Sequence, residues 1–235
     1  MDPKSFYESM YGENRNADLH LKPVERRLSK YNPNRYALVL ENLGKNHRIL
    51  DLGCGDGELL IPMRASYQEV WGLDISRSRL DRVETRIESE NGIYLMEGDI
   101  NTTLNFADKY FDTITIVAVL EHVFDPYSVL RECCRLLRPG GTLMVYVPNV
   151  AILTNRMRLL FGRLPVTSRE SGWDGGHLHY FTEGSLKKLF SDTGFQVRRV
   201  TAGGYFAKLR RWWLSLLCPD MLVVGVKKNE DCTSN

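Results

Sequence analysis

Residues Ile49-Leu50-Asp51-Leu52-Gly53-Cys54-Gly55-Asp56-Gly57 join an apolar run to a turn built on alternate glycines. Glycine lets backbone approach a neighbour where any Cβ would collide. The helix expected just beyond the turn offers unpaired N–H groups and the positive end of its dipole. A second apolar run, Val70-Trp71-Gly72-Leu73-Asp74, ends in a carboxylate 23 residues after Asp51. An acid at the tip of a second strand is placed to accept both hydroxyls of a ribose. Together the two stretches predict an α/β chain with a pocket for an adenosine-like ligand beyond its first two strands.

The alternation of apolar runs extends that expectation along the chain. A helix begins at Asn32 and Pro33, places Tyr36, Leu40 and Leu43 at helical spacing and stops at Gly44. Strands follow at about 47–52, 69–74, 92–97 and 111–118, with helices at 56–66 and 77–90 between them. Asp125-Pro126 reads as a cap and first turn, and places Leu130, Cys134 and Leu137 on one helix face. Pro139-Gly140-Gly141 then turns into a fifth strand, Thr142 to Val147; a helix from Thr182 to about Thr193 precedes a sixth, Phe195 to Val200, and a seventh runs from Leu222 to Lys227. Strands and helices of these lengths in alternation predict a parallel sheet with right-handed crossovers.

Composition narrows the class. The chain has 235 residues, 43% of them hydrophobic and 26% charged, enough for one sizeable domain. A net charge of +2 exerts no global pull on nucleic acid or anionic membrane. Cys54, Cys133, Cys134, Cys218 and Cys232 show no metal-ligand spacing and read as reduced thiols of a cytoplasmic protein. The polar Met1-Asp2-Pro3-Lys4 start carries no signal-peptide pattern, and the longest apolar stretch, Trp212 to Val226, is too broken to span a bilayer.

The glycine spacing separates two cofactor classes. A dinucleotide site asks for Gly-x-Gly-x-x-Gly, with pyrophosphate on the helix N-terminus. Here the pattern is Gly-x-Gly-x-Gly, and Asp51, Asp56 and Glu58 surround it. Three carboxylates would repel a pyrophosphate and suit a ligand carrying a sulfonium and an ammonium. The segment resembles motif I of the class I S-adenosylmethionine-dependent methyltransferases, small-molecule type, similar to those of ubiquinone and menaquinone biosynthesis and to sugar-associated ones. The resemblance covers roughly residues 33–228 and is strongest through 149.

That resemblance implies a single-domain Rossmann-like fold: a seven-stranded, mostly parallel sheet, the last strand antiparallel, with helices on both faces. It implies S-adenosylmethionine as cofactor and S-adenosylhomocysteine as product. Asp51, Gly53, Cys54 and Gly55 match its first motif, Asp74 its ribose acid with Ile75 beside it, and Asp99 the acid that accepts the adenine amino group, with Ile100 packing on the ring. Ala118 and Val119 then line the methionine end, and Tyr11, in an N-terminal segment 1–32, folds over the pocket as a lid. Residues 229–235 form a tail.

On the acceptor side, Val119-Leu120-Glu121-His122 resembles the Leu-Glu-His segment of methyltransferases acting on quinone precursors. Three roles are open for Glu121-His122: general base, metal pair, or caps of the following loop. In the ubiquinone-type and small-RNA 3′-end methyltransferases a further Glu three residues earlier helps hold a divalent metal; here that position is Ala118, so no metal is expected. His177 and His179 share a face in extended chain and read as a base and its partner, or as a loop hydrogen bond and a helix cap. The candidate catalytic residues are therefore His122, His177 and His179. An acceptor-binding insertion, about 149–182, carries Arg156, Arg158, Arg163 and Arg169 among apolar residues. Lys208 to Leu217, with Trp212 and Trp213, fits a peripheral membrane contact, a homodimer patch or a helix packed on the sheet.

The expected activity is methyl transfer to oxygen of a small or carrier-linked metabolite. RNA or other nucleic-acid methylation is the alternative enzyme. The near-neutral charge and the lack of an Asn/Asp-Pro-Pro-Tyr/Phe motif after strand four argue against it. A non-catalytic S-adenosylmethionine-binding subunit is the alternative of another class.

Overall fold

The computed structural model describes residues 35–88, 90–168, 173–202 and 213–228. Tyr11 and the rest of 1–32, together with the Lys208–Trp212 part of the tryptophan patch, lie outside them. The element order is α1 (Arg35–Leu40), β1 (Asn46–Leu52), α2 (Leu60–Met63), β2 (Tyr67–Asp74), α3 (Arg77–Ile87), β3 (Ile93–Glu97), β4 (Phe111–Val117), α4 (Pro126–Leu136), β5 (Leu137–Pro148), α5 (Leu153–Leu160), α6 (Glu183–Asp192), β6 (Phe195–Thr201), α7 (Leu214–Leu217) and β7 (Asp220–Lys227). Short 3-10 turns at Leu120–His122 and Trp173–Gly176 complete it.

All seven strands join one sheet in the order β3-β2-β1-β4-β5-β7-β6. Strands β1 to β5 pair in parallel, whereas β7 inserts antiparallel between β5 and β6. Alternation along each strand sends side chains to two apolar layers. Leu50, Leu52, Ile114 and Ile116 meet α4 and α6 on one face; Ile49, Val70 and Ile93 meet α1, α2 and α3 on the other. The expected α/β sheet with helices on both faces is therefore the architecture found, including its antiparallel closing strand.

Local chemistry accounts for the boundaries. Asp125 caps α4 by accepting the Tyr127 N–H, with Pro126 in the first turn, and Thr182 with Ser185 forms a capping box on α6. The helix expected over 56–66 shrinks to Leu60–Met63, because Gly55 and Gly57 take φ +59° and +75° and delay its start. Strand β5 starts directly at the end of α4; Pro139-Gly140-Gly141 bulges out of it, so that Leu137 pairs with Phe111 and Thr142 with Thr113. Cys54, Cys133 and Cys218 are free and buried, but Cys134 takes part in a disulfide, so the expectation of reduced thiols throughout fails at that residue. Among the described residues no helix is long and apolar enough to cross a membrane.

Strand order reverses beside β1, where the chain leaves towards β2 and later returns as β4 on the opposite side. In an open parallel sheet this is where a crevice opens, beyond the carboxyl ends of the strands. Asp74 ends β2, and Gly53, Asp99 and Ala118 follow the ends of β1, β3 and β4.

Candidate active site

The cofactor side is organised by backbone. Gly53, at φ +74°, and Cys54 both donate to the Leu73 carbonyl, at 2.7 and 2.9 Å. A Cβ on Gly53 would lie 2.4 Å from the Val119 side chain, so the glycine is what lets β1 turn against the loop after β4. Gly55 N–H donates to Asp74 Oδ2 at 2.8 Å, and Ser76 N–H to Asp74 Oδ1 at 3.0 Å. Each Asp74 oxygen keeps acceptor capacity beyond its one backbone bond, which is what two ribose hydroxyls require. Cys54 is buried with its sulfur against β2, near Gly72, and burial pushes its thiol up. Its contribution to the crevice is main chain.

Asp51 is buried and accepts the Thr115 hydroxyl at 2.6 Å. Burial pushes its carboxyl up to about 7, with the charges of Asp74 and Glu58 adding to the rise and the Thr115 bond opposing it. A cationic ligand beside these acids would relieve that repulsion, so the donor set fits a sulfonium cofactor. The expected ring of three carboxylates needs one correction. Asp56 faces away, paired with Arg79 at 3.0 Å and Arg82 at 2.8 Å, while Arg86 holds its carbonyl. Burial raises the Asp56 carboxyl, but these arginines outweigh it and hold it below the usual range. Asp56 is thus a clamp between the turn and α3.

Asp99 is half-buried, and its Oδ1 accepts both the main-chain and side-chain N–H groups of Asn101. Asn101 in turn accepts the Phe124 N–H at 2.9 Å, tying the β3 loop to the β4 loop. Ile75 and Ile100 are half-buried, and Ile100 and Val119 pack against the α4–α6 layer. Ala118 holds a left-handed φ of +56° and donates its N–H to the Tyr146 carbonyl at 2.9 Å. A non-glycine residue in that region stores strain, a common feature of functional sites.

The expected acceptor side converges on Glu121. This carboxyl is 1% exposed, and among the described residues its Oε2 has no hydrogen-bond partner. Burial pushes it up to about 8, with Asp220 adding to the rise and Arg35 opposing it. Its Oε1 lies 3.9 Å from His177 Nε2, and the His122 and His177 rings stand 4.8 Å apart, edge to face. Glu121, His122 and His177 offer ligand atoms that all lie within 4.8 Å of one another. The expectation of no metal counted only the missing carboxylate at 118. The fold supplies His177 from the insertion instead, so three donors able to hold a divalent cation do come together.

The predicted pairing of His177 with His179 is not what the fold builds. Leu178 and His179 both donate main-chain N–H groups to the Glu121 carbonyl, at 2.8 and 3.0 Å. His179 Nε2 faces the Phe124 carbonyl at 3.3 Å, and its ring lies beside Phe181. Asp174, Gly175 and Gly176 take successive left-handed φ values of 44°, 66° and 79°, a knot that turns His177 inward towards His122. Thr167 and Asp174, which sequence reasoning passed over, complete this wall. The Asp174-Gly175-Gly176 run was the available signal.

The insertion is pinned at its base by the Asn149–Phe181 bridge and the Val150 N–H to the Phe181 carbonyl. Its helix α5 buries Asn155, which exchanges hydrogen bonds with Val166, and leaves Leu153, Met157, Leu160 and Phe161 exposed. Farther on, Trp213 is exposed while Leu214 and Cys218 are in the core. The described end of the tryptophan patch is therefore partly packed on the sheet.

Comparison with known proteins agrees with this architecture. A methyltransferase domain model matches residues 24–200. A ubiquinone biosynthesis O-methyltransferase from Aliivibrio fischeri (strain MJ11) is 28% identical over 187 residues, 76% of this chain and 77% of the relative. Another of that name, from Alkalilimnicola ehrlichii, is 35% identical over 125 residues, 52% of this chain; there the chain spans about half, 51%, of the relative's length. Among solved structures, an S-adenosylmethionine-dependent methyltransferase from Thermotoga maritima superposes with a TM-score of 0.65 at 18% identity, covering 94% of this chain and 100% of the other. The [4+2]-cyclase SpnF reaches 0.63 at 16% identity, covering 82% and 80%. At such identities the two structures speak for the fold alone. The chain belongs to the methyltransferase domain family, as an enzyme that depends on S-adenosylmethionine.

Proposed function

We propose that the protein transfers a methyl group from S-adenosylmethionine to an oxygen of a small or carrier-linked metabolite. The observation that carries this reading is the Glu121–His122–His177 cluster, with Glu121 and His177 buried and His122 half-buried, beside the turn that ends β4 and next to the glycine crevice. Its relatives named ubiquinone biosynthesis O-methyltransferases support oxygen as the acceptor atom.

The bound cofactor supplies an activated methyl on a sulfonium, so chemistry asks mainly for in-line positioning and a deprotonated acceptor. Asp74 would hold the ribose hydroxyls and Asp99 the adenine amino group. The main chain at Gly53 and Gly55 leaves room for the ligand backbone, and Ala118 and Val119 border the reacting end. His177 takes the acceptor proton, and His122 orients the loop by its 3.2 Å contact with the Gly176 carbonyl. The exposed apolar side of α5 suits an acceptor with a hydrophobic body.

A second reading has its own support. The orphaned Oε2 of Glu121 and the two neighbouring imidazoles match a divalent-cation site, where the ion would lower the acceptor hydroxyl's pKa in place of a base. Incubation with methyl-labelled cofactor and a panel of hydroxylated aromatic and carrier-linked acceptors, with and without chelator, tests both. Label recovered on oxygen supports the proposal, and loss of turnover in chelator selects the cation. Label recovered on nitrogen alone overturns it.

A further inference from the structure

Hydrogen-bond inventory at the insertion says which nitrogen of His177 carries the proton. Thr167 Oγ1 lies 2.5 Å from Asp174 Oδ2 and 2.7 Å from His177 Nδ1. Asp174 also accepts the main-chain N–H groups of Thr167 and Ser168, at 2.8 and 2.9 Å from its Oδ1. A carboxylate receiving this many donors is an acceptor and has no proton to give. The one hydroxyl proton of Thr167 therefore goes to Asp174, which leaves the hydroxyl only lone pairs to offer His177. Nδ1 must be the donor.

We infer that Thr167 and Asp174 form a relay that fixes His177 as its Nδ1–H tautomer, so that the Nε2 lone pair faces the Glu121 side of the site. Thr167 and Asp174 act through His177 and are positioning residues. The knot at Asp174-Gly175-Gly176 sets both imidazoles at once: the Gly176 carbonyl can only accept, so His122 too donates from Nδ1, at 3.2 Å. Among the described residues, Glu121, His122 and Asp174 are the titratable groups recorded against His177. The relay deepens the proposed function, because a proton acceptor and a cation ligand both require an imidazole lone pair at Nε2. It does not depend on which acceptor is methylated.

The test reads the tautomer directly. The full chain labelled with 15N histidine is examined by long-range 1H–15N correlation spectra at a pH where His177 is neutral, with His177→Gln for assignment. The wild type should show His177 as Nδ1–H. Thr167→Val, which keeps the shape and removes the hydroxyl, should shift His177 to a mixture or to Nε2–H. Thr167→Ser should restore the wild-type pattern. Calorimetry with S-adenosylmethionine should give the same affinity, within about twofold, for all three proteins, which shows the fold is intact. An Nε2–H wild type, or an unchanged tautomer in Thr167→Val, overturns the relay. Should Thr167→Val fail to fold, Asp174→Asn gives the same reading, with a loss of the single-tautomer signal expected and its persistence overturning the inference. Failure of methyl transfer would leave this result standing, so the two proposals fall separately.

Discussion

The two halves of the crevice are built on opposite principles. The cofactor half uses main chain: the Gly53 and Cys54 N–H groups on Leu73, the Gly55 N–H on Asp74, all inside one strand–turn–strand stretch. The acceptor half uses side chains gathered from far apart, with Glu121 and His122 after β4 and Thr167, Asp174 and His177 in the insertion. Backbone can hold a ligand of fixed shape, with Asp74 the side chain it presents there. Side chains can be exchanged without disturbing the sheet, so the second half is where acceptor choice can vary.

Substitutions on each side should separate these roles. The largest effect is expected for His177→Ala, which should lower turnover by at least about 100-fold, the scale of a lost general base, while S-adenosylmethionine affinity by calorimetry stays within about twofold. An equal loss of affinity would merge the two halves. Asp74→Ala should do the reverse and weaken cofactor binding by about 1.5–3 kcal/mol, the worth of hydrogen bonds to a charged group. An unchanged affinity would remove Asp74 from the ribose. Gly53→Ala tests the seam, since its methyl would meet Val119 at a backbone angle costly for alanine. Denaturant unfolding should show a loss of about 1–3 kcal/mol, part of it recovered when Val119→Ala is combined with it.

A smaller effect is expected from pH. The folded Asp51 carboxyl titrates at about 7 against an ordinary 3.8, so the folded state holds its proton where the unfolded chain has released it. The associated stability is complete below the unfolded value and is lost as pH rises through the folded one. Thermal unfolding of the cofactor-free protein should therefore drop across that window, and Asp51→Asn should flatten the slope; an equal slope in both proteins would refute the assignment. The smallest change belongs to the insertion. Leu160, 73% exposed, should give Leu160→Ser a stability within about 0.5 kcal/mol of wild type. If the acceptor has an apolar body, its KM rises while kcat holds.

The same contrast explains how far the sequence could be read. The turn at Gly53, Gly55 and Gly57 was legible because left-handed backbone writes its demand locally, in glycines. Alternation and crossover length predicted the parallel sheet, the antiparallel closing strand came only with the resemblance to the methyltransferases, and the strand order was read from the structure. Asp56 misled because its partners lie on α3, although Arg79, Arg82 and Arg86 stand at helical spacing and could have betrayed a basic stripe. His177 and His179 misled for a different reason. A shared face holds only for extended chain, and here the capture of two successive N–H groups by the Glu121 carbonyl and the kink before His177 turn the rings apart. No spacing rule links Glu121 to Thr167, which only tertiary folding brings together.

The placement of β7 has a consequence for the order of assembly. It is the last described strand in chain order yet sits inside the sheet, with Met221, Leu222 and Val223 fully enclosed and Lys227 donating to the Leu137 carbonyl. Until that segment leaves the ribosome, β6 lacks the one described strand it pairs with and β5 presents a raw edge. The nascent chain thus carries a finished glycine turn long before it has a closed sheet. Stop codons just ahead of Asp220 should yield aggregates rather than a trimmed enzyme.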